Sequence, residues 1–461
     1  METKPKLFVT GYRGVWGKDL DENIAFEYAR TFARFLRQKG AKKILVGRDA
    51  RQTGPMVFAA AKEALQQEGL EVEYAGILPT PSMLLLTHEL GYGGGIMITA
   101  SHNPPEYNGL KFILSEGRLT NETEVIELQK IFDGLTEEDK KLSGTVSPDE
   151  AGNIDNSRFR KIHVDKVLAS VDAELVRSKK FKVAVDSINS GGGPFAKDLL
   201  EQLGCEVRQI NGTPDGNFAH RPEPLEKNLA GTLEFFKQAE ADICFVQDPD
   251  ADRLVLADER GNFVLEELMI ALVIKSVLSR KSESGREKSA VVNLSTTRVC
   301  EDIAREYGAA LYRTRVGEAY VVKKMMEVNA PVGGEGSGGA IYPAVGYFRD
   351  SLSGMALILE LLARDGRKIS EIVASLPKYV MLKENITFTG NPPALYDALR
   401  AKWPGAQENT EDGIRFDWPS KAWMHIRTSN TEPLLRIFGE AKTEEEAKGL
   451  FEDVRLTLKA I

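Results

Sequence analysis

Short apolar runs alternate with amphipathic stretches along the whole 461-residue chain, the pattern of an α/β protein. Between Asp21 and Lys39, residues Ile24, Tyr28, Phe32 and Phe35 fall on one helical face, and Gly40 ends the helix. Lys43 to Val46 predicts a strand that exits into Gly47-Arg48-Asp49-Ala50-Arg51. A second helix pattern runs from near Pro55 to Gly69. Ile96-Met97-Ile98 predicts a buried strand feeding into Thr99-Ala100-Ser101. The plan recurs twice. Val183 to Asp186 runs into the small-residue loop Ser187 to Gly193 and a helix pattern. Val291 to Asn293 runs into Ser295-Thr296-Thr297-Arg298 and another. Strand, polar loop and helix repeated at Lys43, Val183 and Val291 suggest three similar α/β domains.

Breaks in the pattern suggest boundaries. Glu137 to Ser157 is charged and lacks apolar periodicity. Asp258 to Asn262 is a turn signal after a strand at Arg253 to Ala257. Pro377 to Tyr379 follows a helix pattern. The last segment holds alternating runs such as Gly413 to Trp418 and ends in a helix pattern over 443–461.

Composition changes this picture little: 42% hydrophobic and 28% charged residues are ordinary for a soluble globular chain. The net charge of −8 argues against nucleic acid or anionic membrane as partner, so an anionic ligand would need clustered Arg and Lys. Cys205, Cys244 and Cys300 lack metal-ligand spacing and are odd in number, which fits a reducing cytoplasm. The start has no apolar core like a signal peptide's, and no run of about 18 apolar residues is present.

Four constellations carry chemistry. Thr99-Ala100-Ser101-His102-Asn103-Pro104 presents a serine at the exit of a buried strand; a hydroxyl there needs a base and a stabiliser of developing charge. Asp248-Pro249-Asp250-Ala251-Asp252-Arg253 follows the apolar run Ile243 to Val246. Its three carboxylates can converge on a hard cation such as Mg²⁺. Gly333-Gly334-Glu335-Gly336-Ser337-Gly338-Gly339 lets backbone approach a ligand, with one carboxylate and one hydroxyl suited to sugar hydroxyls. Arg427-Thr428-Ser429-Asn430-Thr431-Glu432-Pro433, with Arg436 beyond, packs a guanidinium among neutral donors, a natural phosphate clamp. Arg13, in a Gly-flanked turn, and Lys111, close in sequence to Ser101, can add positive charge. Read singly, each motif also suits a plain turn, a Gly-rich linker or a surface cation.

Taken in order, the four motifs resemble those of the α-D-phosphohexomutases: the phosphoglucomutases, phosphomannomutases and phosphoglucosamine mutases. The resemblance spans essentially the whole chain. It implies four domains around a central cleft: three α/β domains with mixed sheets and a smaller, mobile α+β cap. The expected ranges are 1–156, 157–258, 259–376 and 377–461. It also implies that Ser101 carries a phosphoryl group and that Asp248, Asp250 and Asp252 hold one Mg²⁺ with a phosphoserine oxygen. Glu335 and Ser337 would grip sugar hydroxyls, and Arg427, Ser429, Asn430 and Thr431 the phosphate that is not reacting. Arg13, Lys111 and Arg253 match basic positions near the relay. Many members have His where this chain has Gly339, and His or Asp where it has Glu318.

The expected reaction interconverts a hexose 6-phosphate and a hexose 1-phosphate, with hexose 1,6-bisphosphate as intermediate and activator. Lys111 and His102 are both candidates for moving the hydroxyl proton. The expected partners are small hexose phosphates, with no nucleic acid and no membrane, and the chain would be a cytoplasmic monomer or homodimer. Two rivals are a metal-dependent sugar phosphatase using Asp248 or Asp250 as nucleophile, which leaves Ser101 unexplained, and a non-catalytic sugar-phosphate sensor. No Gly-x-Ser-x-Gly elbow surrounds Ser101, which disfavours a serine hydrolase.

Overall fold

The computed structural model describes residues 7–142, 144, 147–152, 154–280, 288–428 and 434–460. The chain forms two compact units, residues 1–266 with 339–370, and residues 267–338 with 371–461.

In the first unit the strand Lys43–Arg48 lies between Glu71–Ile77 and Gly94–Ile98, all three parallel. Tyr107–Leu114 adds antiparallel to Gly94–Ile98, and Tyr12–Val15 adds antiparallel beyond it. Arg13 was expected in a turn; it stands in this edge strand, opposite Gly109. Tyr12, on the other face, stacks on Tyr28 at 4.3 Å, and burial of that ring holds the segment extended. The helix Glu22–Gln38 starts where the Asp21 side chain accepts from the Ile24 N–H at 2.8 Å, and its Phe26, Tyr28, Phe32 and Phe35 are buried.

The second sheet repeats the plan. Lys182–Asp186 lies between parallel Glu206–Ile210 and Ile243–Gln247, and Leu254–Ala257 adds antiparallel. Phe263–Val264 pairs antiparallel with Leu254–Ala257, so the sheet runs past residue 258. The first unit also holds the hairpin Gly339–Tyr342 with Gly346–Arg349, then the buried helix Ser351–Asp365.

In the second unit Ser289–Asn293 is flanked by Ala310–Thr314 and Gly333–Glu335, both parallel to it. This is the same trio for the third time, with the first strand in the middle. A separate antiparallel sheet runs Val380–Thr387, Leu434–Ala441, Trp423–Thr428, Ile414–Asp417, Gln407–Asn409. Its core joins Leu395 and Leu399 to Phe416, Ile426 and Phe451. The chain therefore has three mixed-sheet α/β domains and an antiparallel C-terminal domain. Among the described residues no helix is long and apolar enough to cross a membrane.

Candidate active site

In each α/β domain the third strand of the parallel trio ends on one of the motifs. Gly94–Ile98 leads to Ser101, Ile243–Gln247 to Asp248, and Gly333–Glu335 to the turn at Gly336, Ser337 and Gly338. Carboxyl ends of parallel strands leave backbone and short loops free to meet ligands.

Ser101 is buried and sits in the left-handed region at φ 52°, a conformation that costs a non-glycine residue roughly 1–2 kcal/mol. Its hydroxyl lies 3.3 Å from Asp248 Oδ2, the acceptor of its proton. The Ser101 N–H donates to Thr99 Oγ1 at 2.8 Å. His102 has its Nδ1 buried without a hydrogen-bond partner. Burial, then the charges of Arg253, Arg13 and Arg349, push its pKa well below the ordinary histidine value, so the ring is neutral.

Asp248, Asp250 and Asp252 are buried, and one carboxylate oxygen from each can be chosen with all three within 4.8 Å of one another. In both Asp250 and Asp252 the two carboxylate oxygens have different surroundings. Asp250 Oδ2 accepts from Thr80 Oγ1 at 2.5 Å and Lys111 Nζ at 2.6 Å. Asp252 Oδ2 accepts from Arg349 Nη2 at 2.7 Å and from Lys111 Nζ at 3.4 Å. Asp250 Oδ1 and Asp252 Oδ1 are buried with no partner. Two orphaned anionic oxygens beside a third carboxylate fit a hard divalent cation, and all-oxygen donors favour Mg²⁺ over thiophilic metals. Burial, then the charges of Asp252 and Asp250, raise Asp248 well above the usual carboxylate range. Burial also works to raise Asp250, but Lys111 and Thr80 outweigh it and hold that group low.

Basic residues stand beside the serine and the carboxylates. Arg13 Nη1 donates to Asn103 Oδ1 at 3.1 Å, and the backbone N–H of Arg253 donates to Asp248 Oδ1 at 3.1 Å. Arg13 Nε and Arg253 Nε are buried without partners, donors that an oxyanion would take.

In the second unit Glu335 is buried and already oriented: its Oε1 accepts from Asn293 Nδ2 at 2.9 Å and from the Gly317 N–H at 3.0 Å. The following turn depends on glycine, because a Cβ on Gly336 would stand 1.9 Å from Glu267 Oε2. Ser337 is half-buried on that turn. Arg427 is the penultimate residue of the strand Trp423–Thr428, its Nε 3.1 Å from Asp412 Oδ2, which also accepts from the Val316 N–H at 3.0 Å. Ser429, Asn430 and Thr431 lie outside the described residues.

Sequence reading missed Thr80, Arg349, Asn293 and Asp412. Pro79-Thr80-Pro81 was a usable signal, since it opens the helix Thr80–Glu89. Arg349 and Asp412 carry no local signature. Arg349 does explain Gly339: a Cβ there would stand 2.2 Å from Arg349 Cδ, so the missing side chain makes room for the arginine that reaches Asp252.

Sequence comparison matches four domain families in chain order. These are the phosphoglucomutase/phosphomannomutase alpha/beta/alpha domains I, II and III, over residues 6–139, 161–261 and 266–379, and the C-terminal domain over 390–457. The chain belongs to the phosphoglucomutase/phosphomannomutase family. It is thus a phosphohexomutase, an isomerase acting by intramolecular phosphoryl transfer. It is 36% identical over 454 residues to the phosphoglucomutase/phosphomannomutase of Thermococcus kodakarensis, covering 97% of each chain. It is 31% identical to the phosphoglucosamine/phosphogalactosamine mutase of Sulfurisphaera tokodaii, covering 98% of each. Among solved structures, a phosphoglucomutase/phosphomannomutase family protein of Burkholderia thailandensis superposes with a TM-score of 0.81 at 28% identity, covering 98% of this chain and 96% of that one.

Proposed function

We propose that this phosphohexomutase interconverts hexose 6-phosphate and hexose 1-phosphate through a phosphoserine at Ser101 and a hexose 1,6-bisphosphate, as a phosphoglucomutase/phosphomannomutase. The observation that carries the reading is the buried Ser101 hydroxyl 3.3 Å from Asp248, beside two orphaned carboxylate oxygens and the partnerless guanidinium nitrogens of Arg13 and Arg253. A serine placed so is served by groups that neutralise a transferring phosphoryl.

In the forward step the phosphorus–oxygen bond to Ser101 Oγ breaks and a bond to the free sugar hydroxyl forms. The hydroxyl gives up its proton as Ser101 Oγ takes one up; after the bisphosphate reorients, Ser101 Oγ gives up that proton and accepts the other phosphoryl group, and the sugar oxygen that loses it is protonated. Of the two candidates for the hydroxyl proton, His102 has the freer atom, its Nδ1 having no partner, whereas Lys111 Nζ is held by Asp250 and Asp252. Arg13 and Arg253 hold phosphoryl oxygens. Glu335 accepts hydrogen bonds from sugar hydroxyls, Ser337 assists, and Arg427 with Ser429, Asn430 and Thr431 holds the idle phosphate. Asp248, Asp250, Asp252 and an oxygen on phosphorylated Ser101 would hold one Mg²⁺, which supplies Lewis acidity and charge neutralisation. Hexose 1,6-bisphosphate restores the phosphoserine when it is lost.

The similarity to the Sulfurisphaera enzyme supports a second reading, hexosamine phosphate as substrate. Phosphorus NMR on Mg²⁺-loaded protein with a trace of glucose 1,6-bisphosphate separates the two. Glucose, mannose and glucosamine 6-phosphates are supplied in turn, and the fastest to give a 1-phosphate names the substrate. Unimpaired turnover by Ser101→Ala would overturn the relay.

A further inference from the structure

The loop that carries Ser101 is held by a residue that touches none of the reacting groups. Arg51 and Asp49 have side chains 0% exposed and are ion-paired at 3.0 Å. A guanidinium has five N–H donors in a fixed plane, and here each has its own acceptor. Nε meets Asp49 Oδ2 at 3.0 Å. Nη1 meets the carbonyls of Pro104 at 2.6 Å and Tyr107 at 2.9 Å. Nη2 meets the carbonyls of Ser101 at 2.6 Å and Asn103 at 2.7 Å.

The ion pair closes a ring around Ser101. Asp49 Oδ2 accepts from Thr99 Oγ1 at 2.6 Å, and Thr99 Oγ1 accepts from the Ser101 N–H at 2.8 Å. Both backbone polar groups of Ser101 are therefore tied, one to each member of the pair. The residue between them, Ala50, reaches the other half of the site: its N–H donates to Ser190 Oγ at 3.3 Å, and Ser190 Oγ donates to the Pro249 carbonyl at 2.6 Å. The Phe218 ring covers the outer face of the guanidinium at 5.2 Å.

We infer that Arg51, locked by Asp49, is a positioning residue for phosphoryl transfer: its guanidinium holds the loop 101–107 so that Ser101 keeps its left-handed backbone and its hydroxyl stays aimed at Asp248. The inference rests on Ser101 being the phosphorylated relay. Four of the five hydrogen bonds end on carbonyls of a single loop, more than an anchor needs. The conformation they enforce, φ 52° at the reacting serine, is one that the serine would leave if released.

Arg51→Lys keeps the charge opposite Asp49 but replaces a planar five-donor fork with a point donor. Wild type and variant are phosphorylated with glucose 1,6-bisphosphate, and the phosphate per chain is counted by intact mass. Each is then mixed with glucose 6-phosphate in a single turnover. The rate constant per phosphorylated chain is independent of any misfolded fraction. It is expected to fall about 100-fold, the scale for a misplacement of about 1 Å at a reacting atom. The KM for glucose 6-phosphate should stay within about twofold, and amide exchange should quicken over 99–108 alone. A rate constant within about threefold of wild type, or exchange quickened evenly through the first sheet, would overturn the inference. Should Arg51→Lys fail to fold, Asp49→Asn loosens the same fork and is expected to slow transfer about 10-fold; transfer within about threefold of wild type overturns the inference equally. Absence of a phosphorylated chain in the wild type would instead strike at the relay itself.

Discussion

Replacing Lys111 with Met tests how Asp250 and Asp252 are tolerated in the interior. The ammonium lies 2.6 Å from Asp250 and 3.4 Å from Asp252, with 2% of the side chain exposed and 0% and 2% for the two partners. Methionine keeps most of the stem and removes the charge. Two carboxylates are left buried, one of them still paired with Arg349. Removing one partner of a buried ion pair costs about 3–5 kcal/mol, because the remaining charge is uncompensated. At about 2–4 °C per kcal/mol for a domain of this size, that is a drop in melting temperature of roughly 6–20 °C in EDTA. Saturating Mg²⁺ would replace part of the lost positive charge at the unpartnered Oδ1 atoms, so the rise in melting temperature on adding Mg²⁺ should be larger in the variant than in wild type. Differential scanning calorimetry of both proteins, in EDTA and in Mg²⁺, reads all four values. A Lys111→Met protein that melts within about 2 °C of wild type in EDTA would refute the reasoning. So would a Mg²⁺ shift no larger than wild type's.

Other perturbations address separate parts. Gly336→Ala forces a Cβ onto the Glu267 carboxylate, so that side chain or the turn that carries Ser337 must shift; kcat/KM should fall at least 10-fold, while phosphorylation of Ser101 by the bisphosphate, read by intact mass, still reaches wild-type stoichiometry. Gly339→His must push Arg349 off Asp252, and Mg²⁺ affinity measured by calorimetry should change several-fold; an unchanged affinity would sever that link. The chain has five histidines, few enough to resolve by NMR. His425 accepts from Ser295 Oγ at Nδ1 and meets the Asp412 carbonyl through Nε2, which fixes it neutral, and burial pushes its pKa down to about 4. Its folded pKa is below the ordinary 6.5, so stability is full above about 6.5 and is lost as pH falls toward 4, by about 3 kcal/mol at 1.36 per unit. A His425 resonance titrating near 6.5 would contradict this.

Motif residues and architecture differ in how far the sequence exposes them. Ser101 and Asp248 stand out in the sequence because each follows a short apolar strand, and Glu335 because it is the one carboxylate in a run of glycines, all local patterns. The helix Glu22–Gln38 was legible for the same kind of reason, a single apolar face ended by a cap and a glycine. Arg349, Asp412 and Thr80 were not. Each acts through a partner far away in the chain: Arg349 on Asp252, Asp412 on the Val316 N–H, Thr80 on Asp250. Only tertiary structure creates those neighbours. The strand at Arg13 was read as a turn because two glycines flank it. Pairing with Tyr107–Leu114 and burial of Tyr12 overrode the local glycine signal.

The triad also shows why a cluster of buried carboxylates can persist in a folded chain before any cation arrives. Three carboxylates so close would repel one another strongly in a low-dielectric interior. Here the Oδ2 atoms of Asp250 and Asp252 face Lys111 and Arg349, which restrain those charges, while burial first, then the charges of Asp252 and Asp250, raise the pKa of Asp248. The Oδ1 atoms of Asp250 and Asp252 are then left over, buried and without a hydrogen-bond partner among the described residues. Fixed cations on the Oδ2 edge make the cluster tolerable, and the unpartnered oxygens on the Oδ1 edge could hold a metal. If the two edges served one purpose, abolishing Lys111 and abolishing metal binding would give the same phenotype. The division predicts that they do not: Asp248→Asn should weaken Mg²⁺ binding while folding at least as stably as wild type in EDTA, because it removes repulsion from Asp250 and Asp252 and keeps the acceptor for the Arg253 N–H. Lys111→Met should do the reverse, keeping Mg²⁺ binding at the cost of stability.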